Sequence, residues 1–224
     1  MGANPYSPST NLACTHLGEH VDPRHLQSFA SLFDLNRQII ELLVDVAARP
    51  RSERIWASWR TAGDEVARLD AAQREELAHC PFSLVDAGLR EVRGWSRADH
   101  IEPVQGELPF SPILLQNRLD HLAHAAWLLA WHLVRSDMIA ARLLFALNSA
   151  STFLMTQVTL TDIRRIAQEQ VRNGRVRPRW HDRPDVWSRL IHTARSSPSD
   201  TFDSVTTRGL QLFLQEFLGD ERDQ

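Results

Sequence analysis

The chain has 224 residues, of which 43% are hydrophobic, so it can bury one substantial core or two small ones. All 25 basic residues are arginine, but the net charge of −3 excludes a protein whose whole surface attracts polyanions. Any contact with nucleic acid must therefore come from a local basic patch. The two cysteines, Cys14 and Cys80, are too few for a disulfide framework, and the absence of a CxxC pair argues against structural zinc.

The N-terminal half, residues 24–93, is predicted to be helical and to follow a mobile arm at residues 1–23, which contains three prolines and little periodicity. A first helix is expected at 25–49, stopped by Pro50, with apolar residues recurring at spacings of three and four. Ser52 can cap a second helix that carries Trp56 and Trp59 and ends near Gly63. Two more helices are expected at 71–79, capped by Asp70, and at 82–89.

A linker rich in proline and glycine, residues 94–112, leads to a second helical half at 113–195. Helices are expected near 113–134, 137–147, 149–156, 160–171 and 183–194, and an amphipathic helix at 203–218 within an acidic tail, 196–224. Strand-like alternation is almost absent, so the predicted class is an all-α helical bundle. With no signal peptide and no apolar stretch long enough to span a bilayer, we expect a cytoplasmic protein with no membrane partner.

The two halves have similar apolar patterns. A shift of 89 positions lays residues 32–47 on 121–136, and it lays Leu69, Leu77 and Ala78 on Val158, Ile166 and Ala167. Either the halves are copies, which would make the chain a fused pseudo-dimer, or two amphipathic helices match by chance.

Residues 128–192 contain a series of short motifs in a fixed order. An apolar helix ends at Arg135-Ser136-Asp137, Phe145-Ala146-Leu147-Asn148 follows, Val158-Thr159-Leu160-Thr161-Asp162-Ile163 begins another helix, and Ile166-Ala167 lies one turn further on. The order and the gapless spacing resemble the FlhD subunit of the bacterial flagellar master transcriptional activator. Thr159 or Thr161 is placed to cap the helix, and Asp162 suits its positive end.

The resemblance implies an all-helical regulatory subunit that joins a second protein, FlhC, to bind promoters and recruit RNA polymerase. Two departures from the family are clear. Ala146 replaces a glycine, so we expect that turn to be more helical here. The family's cysteine, which can link two subunits, falls near Arg177 after a two-residue insertion at Asn173-Gly174, so a disulfide-linked dimer is not expected.

A basic segment follows the last of these motifs. Between residues 163 and 195 there are nine arginines against three acidic residues, a net of +6, whereas the tail 196–224 has a net of −4. Such a patch suits contacts with DNA phosphates, or else it is a solvated loop that lies against the acidic tail. The predicted DNA-binding residues are Arg164, Arg165, Arg172, Arg175, Arg177, Arg179 and Arg183. Because Arg175, Arg177 and Arg179 alternate, an extended loop would point them the same way, and their replacement by Glu is expected to abolish DNA binding without unfolding.

The remaining candidates are interpreted as structural. Trp180 and Trp187 could stack on a base but are expected to anchor the last helix, and Cys80 is expected in the core. His121, His124 and His132 share one helical stripe without a convincing metal-ligand set. No catalytic motif is present, so we expect no enzyme, cofactor or metal. The predicted function is an FlhD-like regulator that binds double-stranded DNA with an FlhC-like partner, as an oligomer or internal pseudo-dimer; the alternative is a helical interaction module that does not bind DNA.

Overall fold

The computed structural model describes residues 23–53, 55, 57–90, 95 and 113–195. These residues form eight helices and one two-stranded antiparallel sheet, which confirms the all-α class. The predicted arm, most of the linker, Trp56 and the 203–218 helix lie outside the described residues. In chain order the elements are α1 Pro23–Ala48, α2 Ala57–Val66, α3 Ala71–Ala78, β1 Val85–Ala87, α4 Ile113–Ser136, α5 Met138–Phe145, α6 Ser149–Gln157, α7 Leu160–Arg172, β2 Val176–Pro178 and α8 Pro184–Arg195.

The two long helices, α1 and α4, lie against each other in opposite directions. Arg118, near the start of α4, forms salt bridges with Asp45 and Glu41, near the end of α1. One hydrophobic core contains residues from both predicted halves, including the fully buried Trp59 and Trp127. Helices α2 and α3 of the first half also contact α8 of the second. No helix within the described ranges is long and apolar enough to cross a membrane.

The predicted helix at 82–89 is wrong, because this segment contains strand β1 instead. β1 pairs with β2, with Asp86 opposite Arg177. Gly88 follows the strand with φ of +71°, a left-handed conformation that stops a helix and that glycine adopts at little cost. The pairing joins residues 91 positions apart, which no local pattern in the sequence reveals.

Asn36 of α1 holds the segment that leads into β1. Its side chain is fully buried, and its Nδ2 group donates hydrogen bonds to the carbonyls of Ala78, Cys80 and Phe82 at 3.3, 3.1 and 3.0 Å. Its Oδ1 accepts a hydrogen bond from the Leu84 N–H at 2.9 Å. One amide therefore serves four backbone groups of an irregular buried segment, with its two N–H bonds shared among the three carbonyls and its oxygen accepting from the fourth group.

The predicted cap at Ser52 is wrong, because α2 begins five residues later, at Ala57, and ends at Val66 instead of near Gly63. The caps predicted at Asp70 and Thr159 are confirmed. The Asp70 carboxylate accepts from the Gln73 N–H at the start of α3, and the Thr159 hydroxyl accepts from the Asp162 N–H at the start of α7. Both are capping boxes, since the side chains of Gln73 and Asp162 accept in turn from the cap N–H groups. Asp137 and Asn148 cap α5 and α6.

The expectation of a more helical turn at Ala146 is wrong. Ala146 ends α5 in the left-handed conformation, with φ of 53° and ψ of 42°. The chain thus keeps the turn geometry that suits a glycine although alanine occupies the position.

The predicted shift of 89 positions fits α3 and α7 but fails for the long helices. It places the buried Leu77 and Ala78 on the buried Ile166 and Ala167. On α1, however, it places buried residues on the exposed His121, Leu128 and His132. The buried faces of α1 and α4 coincide instead at a shift of 87, which superposes seven buried positions: Leu32 on Leu119, Leu35 on Leu122, Asn36 on Ala123, Ile39 on Ala126, Ile40 on Trp127, Leu43 on Ala130 and Val46 on Leu133.

Candidate nucleic-acid interface

Helix α7 has one buried and one open face, as its strongly amphipathic sequence requires. Its first turn is fixed by the capping box of Thr159 and Asp162, and these hydrogen bonds hold the pKa of the Asp162 carboxyl below its ordinary value. The helix packs against α4. The buried face consists of Ile163, Ile166, Ala167, Gln170 and Val171.

The open face of α7 carries Arg164, Gln168 and Arg172 at successive spacings of four. Arg164 and Arg172 are exposed, and Gln168 between them is half-buried. The two arginines lie eight residues apart, which is about 12 Å along an α-helix. Within the described ranges, neither Arg164 nor Arg172 forms a salt bridge, although the charge of Arg172 acts on the nearby Asp120 carboxyl.

A groove of about 390 Å³ runs between this face and α4. It is lined by Asn117, Asp120, His121, His124, Arg164 and Gln168. Burial raises the pKa of the Asp120 carboxyl, although a hydrogen bond with Gln116 and the charges of Arg172 and His121 oppose the rise. The groove thus combines amide and imidazole groups with one arginine, Arg164, and one carboxyl, Asp120, and the amide and arginine groups can hydrogen-bond base edges as well as phosphates.

Two of the predicted DNA-binding arginines are neutralised by nearby carboxylates. Arg165 lies 3.3 Å from Asp162 and 3.1 Å from Glu169 on the same helix. Arg183 lies 3.8 Å from Asp185, which it shares with Arg189. Each of these pairs is partly exposed and therefore contributes little stability, but it lowers the local positive charge that the sequence suggested.

The expectation that Arg175, Arg177 and Arg179 point the same way is wrong. Arg177 contacts Asp86 across the sheet at 3.5 Å. Arg179 is only 5% exposed, because the chain leaves β2 after Pro178 and the Arg179 N–H donates to the Leu84 carbonyl. The Arg179 side chain is therefore almost completely buried, at one wall of a cavity of about 310 Å³ that Arg177 and Arg183 also line, and it is not part of an exposed basic stripe.

Arg179 stabilises the core. Its Nη1 donates to the Ser83 carbonyl at 3.2 Å, and its guanidinium lies 4.7 Å from the centre of the Trp180 ring. Replacement by Glu would bury a carboxylate against a carbonyl and an aromatic face, so the predicted triple substitution would destabilise the fold. Arg179 is accordingly removed from the candidate DNA-binding set.

Both tryptophans of this region are buried, as the structural interpretation predicts. Trp180 is 6% and Trp187 is 3% exposed, and the Trp187 indole donates to the Arg179 carbonyl at 2.7 Å. Stacking of either ring on a base is therefore excluded in this conformation. Cys80 is also fully buried, and burial raises the pKa of its thiol, so it is an unreactive core residue.

Sequence reasoning missed the groove residues Asn117 and Gln168 and considered the two histidines only as metal ligands. The described part of the chain contains no cluster of three or more side chains that could hold a metal ion. The signal for the groove was present in the sequence, since Arg164, Gln168 and Arg172 recur at helical spacing. No family model, curated protein or solved structure matches the chain. The functional argument therefore depends on the geometry and chemistry of this surface.

Proposed function

We propose that the chain is an FlhD-like transcriptional regulator that contacts DNA through the open face of α7. The observation that carries the proposal is the pair of exposed arginines, Arg164 and Arg172, with Gln168 between them on one helix. Arginine suits guanine or phosphate, and glutamine suits adenine. A helix with such a stripe has the dimensions and the chemistry to lie in a major groove.

The structural roles of the motif residues support the resemblance to FlhD. Asp137, Asn148 and Thr159, which occur at the family's spacing, are the N-cap residues of three successive helices, α5, α6 and α7. Ile166 and Ala167 are buried on α7. The spacing thus has a physical basis, because each of these residues begins or anchors an element.

An exposed apolar surface on α5 supports the expectation of a protein partner such as an FlhC-like subunit. Met138, Ile139 and Leu143 are 47%, 73% and 42% exposed, and Phe153 on α6 is 63% exposed. Clustered apolar side chains of this size commonly mark interaction sites. The same observation favours the second candidate function, a helical interaction module that does not bind DNA.

The test is fluorescence anisotropy of a labelled duplex titrated with the protein between about 50 and 200 mM salt. Binding through Arg164 and Arg172 should weaken as salt rises, and the variant R164Q/R172Q should reduce the salt slope by about 2. The control R51Q/R68Q removes the same charge from two exposed arginines that flank α2, and it should bind as the unchanged protein does.

Equal losses in both variants would show that net charge alone, and not the α7 face, determines binding. Absence of salt-dependent binding by the folded, unchanged protein would refute the DNA-binding proposal and favour the interaction module. Circular dichroism of each variant at the same concentration checks that the helices are retained.

A further inference from the structure

The two halves of the described chain repeat one order of elements. A long helix of 26 residues (α1) or 24 residues (α4) comes first. A helix of 10 residues (α2) or 9 residues (α6) follows, then a capped helix (α3 or α7), and then a three-residue strand. Within the described residues, helices α5 and α8 of the second half have no counterpart in the first. The contacts between these helices recur as well, since α1 packs on α2 and α3, and α4 packs in the same way on α6 and α7.

The capping boxes relate the halves residue by residue. Both α3 and α7 begin with a two-sided box, formed by Asp70 with Gln73 and by Thr159 with Asp162, and these caps lie 89 positions apart. The buried pair after the cap also matches at that distance, as Leu77 with Ala78 and Ile166 with Ala167. The alignment of α3 with α7 is therefore set by two independent features.

The strands place an approximate two-fold axis between the halves. β1 and β2 have the same burial pattern, and they pair with each other in opposite directions about the central pair of Asp86 and Arg177. The antiparallel contact of α1 with α4 obeys the same symmetry.

The symmetry does not extend to the charges. Counted from the caps, Glu75 of α3 takes the place of Arg164 of α7, and His79 takes the place of Gln168. Arg37 of α1 binds Glu75 and Asp34, and its hydrogen bond to Glu75 holds the pKa of that carboxyl below its ordinary value. The surface formed by Asp34 and Arg37 of α1 with Glu75 and His79 at α3, here called the α3 face, therefore carries two carboxylates against one guanidinium and repels phosphate.

We propose that the chain is an internal pseudo-dimer with a single DNA-reading face, on α7, and that it recognises one asymmetric half-site instead of an inverted repeat. The inference rests on the proposed function. A symmetric dimer would offer two equivalent helices and read two half-sites about one helical turn apart. In this chain the first half serves as the scaffold that completes the core and the sheet.

The test combines binding-site selection from a random duplex pool with salt-dependent anisotropy of the full chain. Selection should yield one non-palindromic motif. R164Q/R172Q should weaken binding to this motif and reduce the salt slope by about 2, because two phosphate contacts account for about a tenfold change in affinity between 50 and 200 mM salt. R37Q removes the single arginine among the four side chains of the α3 face (Asp34, Arg37, Glu75 and His79), and it should leave both the affinity and the salt slope unchanged.

The outcomes separate this inference from the proposed function. An inverted repeat in the selected sites, an unchanged salt slope in R164Q/R172Q, or a reduced slope in R37Q would overturn the single-face inference while DNA binding stands. Failure of the folded, unchanged protein to select any sequence or to bind any duplex would overturn both. Circular dichroism excludes unfolding as the reason for a lost interaction.

Discussion

Replacement of Asn36 by Asp tests whether one buried amide holds the segment that leads into β1. The side chains have nearly the same shape, so packing changes little. In the Asn, Nδ2 donates to the carbonyls of Ala78, Cys80 and Phe82. In the Asp, an ionised oxygen would face the same three acceptors with no donor between them. The carboxyl must therefore bind a proton to remain inside.

The size of the effect follows from that proton. An ordinary Asp has a pKa of about 3.9, so keeping it protonated at pH 7 costs about 4 kcal/mol. This is the most that the introduced charge can cost, because the buried carboxyl takes up a proton when burying the charge would cost more. The protonated carboxyl donates to one carbonyl and leaves two without this donor, which adds about 1 kcal/mol or more. We expect N36D to be less stable than the unchanged protein at pH 7 by about 4–5 kcal/mol.

The assay is urea unfolding followed by tryptophan fluorescence between about pH 5 and 7. Because the pKa of the introduced carboxyl is raised in the folded state, the stability deficit of N36D is smallest at low pH and grows as pH rises. The difference from the unchanged protein should grow by about 1.4 kcal/mol for each pH unit. The control N36A removes the same hydrogen bonds without an ionisable group, and its deficit should not depend on pH.

A deficit of N36D that is independent of pH, or one that matches N36A at every pH, would refute the assignment of Asn36 as the donor to these carbonyls. If N36D is unfolded at pH 7, the slope between pH 5 and 6 tests the same reasoning. Refolding of N36D on acidification, with N36A unchanged, would be the clearest support.

Two further substitutions test the backbone geometry. An ideal Cβ on Gly63 of α2 would lie 2.6 Å from the Leu43 carbonyl oxygen of α1, so G63A should lower the unfolding free energy by about 1–3 kcal/mol. Helix propensity alone predicts that G63A raises the stability, and such a result would contradict the close approach of the two helices. Ala146 is left-handed, which costs about 1–2 kcal/mol in a residue with a Cβ. A146G should therefore raise the urea midpoint despite the added entropy of the unfolded chain, and an unchanged or lower midpoint would argue against the turn.

The elements that the sequence predicts well are those whose cause is local. Asp70 and Thr159 cap α3 and α7 through atoms three residues away, and the apolar stripes of α1 and α4 need only helical spacing. Strand β1 is different, because a partner 91 residues away decides its conformation. A three-residue strand carries no alternation long enough to detect, and the apolar content of 82–89 equally suits a helix.

The comparison of the two halves also separates features with a local cause from features that depend on distant contacts. A single shift of 89 superposes buried residues where a capped helix sets it, at Leu77 and Ile166, but it superposes buried on exposed residues in the long helices. An amphipathic helix matches another at several shifts close to its period of 3.6 residues, and hydrophobicity alone does not distinguish among them. The burial of Asn36, equivalent to Ala123 at a shift of 87, distinguishes them, because it identifies which side of α1 faces the core.

The contacts of the arginines show why counting charges in the sequence identified a basic segment but not which of its side chains form an exposed basic surface. The sequence alone could have shown which arginine of α7 is paired. Arg165 has Asp162 and Glu169 at spacings of three and four. At the same spacings, Arg164 has no acidic residue but Leu160, Thr161, Ala167 and Gln168. The sequence could not have shown the other contacts, because Arg177 binds Asp86 and Arg179 binds the Ser83 carbonyl across 91 and 96 residues. Once these three arginines and the paired Arg183 are subtracted, Arg164 and Arg172 remain on the open face of α7, and Arg175 remains beyond the end of the helix.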